Sequence, residues 1–147
     1  MIKLNNMAKF KNMAICLAHT STIKVIVDEN RVVFNLDYSI VRNGNALADY
    51  IYVNDYTKED LKFLNLEYFK ENFIEYEPNG FINKNCIVSA KYNHEKQCII
   101  FNLNHLHTYK LTISDENEVS YSKKTNIPKY VYMKATYDEF QDMFIGA

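Results

Sequence analysis

Apolar and polar residues alternate along most of this chain, and the rhythm turns helical in two places. In Thr22-Ile-Lys-Val-Ile-Val27, Ile23, Val25 and Val27 share one face of a strand. In Arg31-Val-Val-Phe-Asn-Leu36, Val32, Phe34 and Leu36 do the same, and only Asp28-Glu-Asn30 separates the two segments. That pattern predicts an antiparallel hairpin. The apolar run at 13–18 predicts a short strand before it. Segments 38–42 and 46–53 flank Asn43-Gly44, a pair that accepts the positive φ angles of a tight hairpin turn. Further on, 86–92 and 97–103 form one hairpin, 108–113 and 118–123 another, and 130–133 a last strand. Residues 1–12 are polar and rich in Asn and Lys, and are expected to be loosely held.

The helical rhythm covers 57–73, where Leu61, Leu64, Tyr68, Phe69 and Phe73 make one apolar stripe. Asn65 marks a point where it can break into two shorter helices. Glu77-Pro-Asn-Gly80 is a turn that ends the segment. A second, short helix is expected at 137–144. Each helical segment follows a tyrosine-rich strand, Tyr50-Ile-Tyr-Val53 and Tyr130-Val-Tyr-Met133, and a threonine, Thr57 or Thr136, placed to cap it. The tyrosines are read as packing residues that alternate with aliphatics. The reading is an α+β protein: a hairpin-rich antiparallel sheet or partly open barrel of about nine or ten strands, with one major and one short C-terminal helix.

The chain repeats itself. Val33-Phe-Asn-Leu36 matches Ile100-Phe-Asn-Leu103 at an offset of 67, and the Tyr-x-Tyr strands match at an offset of 80. Within a single domain spanning 1–147, pseudo-repeats are therefore expected at 13–77 and 80–147.

Composition narrows the function without naming it. The net charge is −1, so no global field attracts nucleic acid or an anionic membrane. Three widely spaced cysteines, Cys16, Cys86 and Cys98, form no C-x-x-C motif, which suits reduced thiols and a cytoplasmic location. No stretch approaches the roughly 18 apolar residues of a membrane span. With 3 glycines in all, a backbone cradle for a nucleotide is not expected, nor is any other cofactor.

Candidate chemistry lies in three places. His105 and His107 stand at i and i+2 in an insertion specific to the second half, where two imidazoles could face one metal; no third ligand stands at a recognisable spacing, so no metal is assigned. His19-Thr-Ser21 resembles one of the two H-x-[ST] motifs of the 2H phosphoesterases; the matching position in the second half reads Cys86-Ile-Val88, without the histidine. Cys16 with His19 could pair as nucleophile and base, although Cys16 lies in an apolar run. Finally, 121–134 interleaves Lys123, Lys124, Lys129 and Lys134 with Tyr121, Tyr130 and Tyr132 and contains no acid. Lysines that neutralise phosphate beside rings that stack on bases suit single-stranded nucleic acid, and exposed tyrosines suit protein partners equally.

The leading expectation is a small non-catalytic binding protein that occupies a macromolecular partner's surface, such as a phage or mobile-element inhibitor of a host factor. A protein partner comes first, with self-association through exposed strand edges as a further possibility. The alternatives are a small phosphodiesterase or metal-assisted hydrolase using His19, His105 and His107, and a binder of RNA or single-stranded DNA using residues 121–134.

Overall fold

The computed structural model describes residues 2–37, 40–42, 45–46, 50–103, 108–113, 119–124 and 129–144; of 40–42, 45–46, 108–113 and 119–124 it describes the backbone alone. The protein is α+β and mostly antiparallel, and the described strands form no closed barrel. Strands β1 (Met7–Lys9) and β2 (Ala14–Cys16) form a small hairpin. Next come β3 (Thr20–Ile26) and β4 (Arg31–Leu36), then the short β5 (Ile40–Arg42) and β6 (Asn45–Ala46), then β7 (Tyr50–Asn54). After a helical segment, β8 (Phe73–Glu77) and β9 (Gly80–Asn83) turn through Pro78-Asn79, where Asn79 takes a φ of 63°. The second half contains β10 (Ile87–Asn93), β11 (Cys98–Leu103), β12 (Thr108–Ile113), β13 (Val119–Lys124) and β14 (Lys129–Lys134).

Sheet order is β7-β4-β3-β9-β8 in one sheet, β10-β11-β14 in a second and β13-β12-β5-β6 in a third. The expected hairpins β3–β4, β10–β11 and β12–β13 all form. One pairing departs from the antiparallel expectation: β5 runs parallel to β12, with Ile40 opposite Tyr109. The segment expected as one strand at 46–53 divides into β6 and β7, which belong to different sheets.

Two half-units share one register. In β3–β4 Thr20 lies opposite Leu36 and, after a bulge, Thr22 lies opposite Asn35. In β10–β11 Ile87 lies opposite Leu103 and, after a bulge, Ser89 lies opposite Asn102. Every one of these positions differs by 67. A bulge is a specific insertion that re-aims a strand, and both hairpins carry one at the same station. The hairpin turns agree as well, since Asn30 and Gln97 take φ of 53° and 49°. Their carbonyls accept from the residue that follows each third strand, Asp55 N–H at 2.7 Å and Ala135 N–H at 3.3 Å. The third strands then match at 80, with Phe34 opposite Ile51 and Phe101 opposite Val131.

Each half has its own core. The first gathers Ala8, Phe10, Ile15, Leu17, Ile23, Val25, Val32, Phe34, Phe63, Phe69 and Phe73, and the second Ile82, Ile99, Phe101, Leu103 and Ala135. The β8–β9 hairpin serves both, because strand alternation sends Phe73 and Phe81 to the first core and Ile74 and Ile82 to the second. Between the halves, the fully buried Asn83 donates from Nδ2 to the Leu17 and Thr20 carbonyls, at 3.3 and 3.0 Å.

Three further expectations are corrected by the structure. The N-terminal segment is not loosely held from Met7 on: Ala8 and Phe10 are buried, and the Phe10 ring meets Phe34 edge-on at 5.6 Å, whereas Ile2 and Leu4 are exposed. An apolar pair in a polar segment has little sequence signal, and its place is fixed by the aromatic core it closes. The segment 57–73 is not one helix. It is a 3-10 turn at Glu59–Asn65, an extended Leu66 (φ −66°, ψ 137°), then α1 (Glu67–Asn72), and Phe73 already belongs to β8. The break lies beside Asn65. It turns Phe63, absent from the 3.6-residue stripe, into the core at 5.5 Å from Phe34 and 5.6 Å from Phe69. Thr57 does not cap through its side chain; its backbone N–H donates to Asp60 Oδ2 at 2.9 Å. Thr136 does cap α2 (Tyr137–Met143), in a reciprocal box with Glu139 at 3.1 Å both ways.

Candidate functional site

The 3-10 turn at Leu17–His19 places His19 at the surface, its side chain 60% exposed, with Nδ1 3.6 Å from Oδ1 of the buried Asp37. Cys16 is half-buried one turn earlier. The buried Cys86 donates its thiol weakly to the Thr20 carbonyl at 4.0 Å. Burial first, and Asp37 second, push that thiol up to about 11, so it stays protonated and is a poor nucleophile. Cys86 also occupies the station in the second half that His19 occupies in the first, 67 residues on. The half-units therefore do not oppose two histidines.

Among the described residues no three His, Cys, Asp or Glu side chains gather closely enough to hold a metal ion. His105 and His107 lie outside the described residues. An open groove of about 840 Å³ runs between the β1–β2 hairpin, the end of β7 and the 3-10 turn at Glu59–Asn65. Its apolar floor includes Phe10, Val53 and Phe63, and its rim mixes Lys9 and Lys62 with Glu59 and Asp60. That groove has no convergent polar set for catalysis.

The most distinctive surface is the outward face of the two related sheets. In β14, Val131 and Met133 pack inward on the second core while Tyr130 and Tyr132 stand 54% and 60% exposed. In β7, Ile51 and Val53 pack inward while Tyr50 and Tyr52 are 41% and 44% exposed. The tyrosines are thus on the solvent side of each alternation, not part of the packing. Behind them lie Val33 and Asn35 on β4 and, at equivalent stations, Ile100 and Asn102 on β11. Behind those lie Thr22 and Lys24 on β3, matched by Ser89 and Lys91 on β10. A hydroxyl, a lysine, an aliphatic, an asparagine and two tyrosines recur on both faces in one arrangement.

The two faces differ in their electrostatics. On the first, Lys24 Nζ is 2.8 Å from Glu77 Oε1, and the Arg31 guanidinium lies 4.7 Å over the Tyr52 ring with Glu29 at 3.6 Å. The Tyr50 and Tyr52 rings meet at 4.5 Å, tilted by 32°, and Asn35 donates to Thr22 Oγ1 at 2.9 Å. On the second, neither Lys91 nor Lys134 has a carboxylate partner among the described residues.

Of the basic and aromatic residues expected at 121–134, Tyr130, Tyr132 and Lys134 come together on this second face. Lys129 is half-buried on the inward side of β14, opposite Leu103. Tyr121, Lys123 and Lys124 lie on β13, whose backbone alone is described. Sequence reasoning missed Lys91, Ile100 and Asn102. Their signal was present in the offset of 67, which pairs Lys91 with Lys24 and Asn102 with Asn35.

No protein-family model, curated protein or solved structure matches the chain. Among the described residues no helix is long and apolar enough to cross a membrane.

Proposed function

We propose that this is a non-catalytic binding protein, built from two copies of one sheet unit at 13–77 and 80–147, that acts by occupying the surface of a macromolecular partner. The observation that supports it is the recurrence of solvent-facing residues. Core positions recur because a shared backbone must be filled; Phe34 and Phe101 need no other reason. Exposed tyrosines contribute little to packing, and the fold does not require Tyr50, Tyr52, Tyr130 and Tyr132 to recur at the same outward stations. Tyrosine offers large, stiff contact area at low entropic cost, which is why it anchors interfaces. An inhibitor of a host factor would act in this way, by masking.

The test is site-specific photo-crosslinking. A benzophenone-bearing residue in place of Tyr132, in the full chain in its native lysate, is expected to give a discrete adduct. The same residue in place of Lys62, on the exposed 3-10 turn, is expected to give none. Equal labelling from both positions would sink the reading.

A further inference from the structure

The geometry points to a single-stranded polynucleotide as the ligand of the outward face of β10-β11-β14, an inference that rests on the binding-surface reading above. Three observations carry it. First, the face is cationic and without acid: its outward positions include Lys91 and Lys134 and no carboxylate. The nearby acids lie on neighbouring elements: Asp138, Glu139 and Asp142 belong to α2, which packs through Phe140 on the inward side, 5.6 Å from Tyr92. Glu95 lies in the β10–β11 turn, and Glu75 and Glu77 lie on β8, which runs beside β14 and whose Glu77 is paired with Lys24. A chain with net charge −1 thus presents one locally positive face, which is complementary to a polyanion.

Second, the rings are presented as a stacking platform. Tyr130 and Tyr132 lie two residues apart on one face of an edge strand, about 7 Å by strand rise. One base fits over each ring, as on other sheet surfaces that hold unstacked bases. Register puts Lys91, Ile100 and Tyr132 in one row and Ser89, Asn102 and Tyr130 in the next. Each base-stacking ring therefore has a polar or cationic group two strands away, about 10 Å. Asn102 can meet a base edge with both donor and acceptor.

Third, the sister face is closed to the same ligand. There Glu77 pairs with Lys24, Arg31 covers Tyr52, and the two tyrosine rings contact each other at 4.5 Å. Both units keep the framework, and only the second leaves its rings and cations available. A protein partner would use the rings equally well but gives no reason for acids to be excluded from the face. A polyanion does.

The experiment is fluorescence anisotropy of the full chain with labelled oligothymidylate and oligouridylate of about 12 nucleotides, within the roughly 4–16 covered by comparable sheet surfaces. Binding is expected to both, since phosphates and base faces are common to DNA and RNA. Preference for one identifies the natural source. Tyr130→Ala with Tyr132→Ala is expected to weaken binding tenfold or more, whereas Tyr130→Phe with Tyr132→Phe retains most of it. Lys91→Gln with Lys134→Gln is expected to reduce the slope of log K against log salt by about 1.4, at about 0.7 per single-strand phosphate contact. Tyr50→Ala with Tyr52→Ala is expected to leave affinity unchanged. No binding by the wild-type chain, or binding unaffected by the Tyr130/Tyr132 alanine pair, overturns the proposal. If oligonucleotides fail while the Tyr132 crosslinker still captures a discrete protein, the polynucleotide is wrong and the binding surface stands. If the crosslinker captures only a second copy of this chain, the face is a self-association surface and the polynucleotide is again overturned.

Discussion

Lys24 and Lys91 stand at the same station of two bulged hairpins, yet Lys24 is held 2.8 Å from Glu77 while Lys91 has no carboxylate partner among the described residues. The Lys24–Glu77 pair is partly exposed, with side chains 48% and 39% accessible, so solvent screens most of its worth. Glu77→Gln is expected to cost under about 1 kcal/mol in chemical denaturation. Lys91→Gln is expected to cost nothing measurable by the same method. A larger loss from the second change would show that Lys91 serves the fold.

Asn83 ties the halves together. Its amide nitrogen serves two carbonyls in the first half, and its Oδ1 accepts from Asn85 N–H at 2.9 Å to start the turn at Lys84–Cys86. Asn83→Leu leaves these buried groups unsatisfied, and a loss of about 2–4 kcal/mol is expected from the denaturation midpoint. Asn85→Ala, at an exposed site, should cost much less.

The two cores can be probed at equivalent positions. Phe34 and Phe101 are both fully buried and differ by 67 in number. Each changed to Ala should destabilise by about 3–5 kcal/mol. The aromatic contacts of Phe34 with Phe10 and Phe63 put its effect at the upper end. A small effect at either position, measured by thermal or urea unfolding, would mean that its core does not contribute to the cooperative unit.

Cys86 gives a pH prediction. Its thiol is raised from 9.0 to about 11 in the folded protein, chiefly by burial. Between those values the unfolded chain releases the proton and the folded chain keeps it, so the unfolded state is favoured as pH rises. The contribution is intact below about pH 9 and is lost progressively towards pH 11, up to roughly 3 kcal/mol over the two pH units at about 1.4 each. Cys86→Ala should flatten that part of the stability curve, measured by urea denaturation at pH 8 and pH 10.5.

Helix capping separates two threonines that look alike in sequence. Thr136→Ala removes a reciprocal box and should cost about 1 kcal/mol, visible as lower amide-exchange protection in α2. Thr57→Ala should change little, because Asp60 makes that contact to the Thr57 backbone.

Much of the framework was legible in the residues alone. Two-residue alternation located β3, β4, β10 and β11 and their hairpins, because a strand with one buried face must alternate. The offset of 67 also relates the two bulged registers, Thr20–Thr22 opposite Leu36–Asn35 and Ile87–Ser89 opposite Leu103–Asn102. Less of the site was legible. Alternation in β7 and β14 fits the tyrosines as packing residues and, for Tyr130 and Tyr132, as exposed binding residues equally well, since strand propensity says nothing about which side of the pleat meets solvent. Lys91 and Asn102 come from strands far from β14 in sequence and reach its face only through pairing.

What the sequence determined by itself is local: where strands and turns fall, where the helical stretch breaks near Asn65, and that one pattern occurs twice. These depend on side-chain periodicity and backbone preference within a few residues. The tertiary structure alone decided which faces became interior. Ala8, Phe10 and Phe63 were recruited by an aromatic cluster whose members are up to 63 residues apart, from Phe10 to Phe73. It alone joined β5 to β12 in parallel and set Glu77 beside Lys24 but, among the described residues, paired no acid with Lys91. Burial and charge neutralisation depend on what arrives from elsewhere in the chain, and no local pattern carries that information.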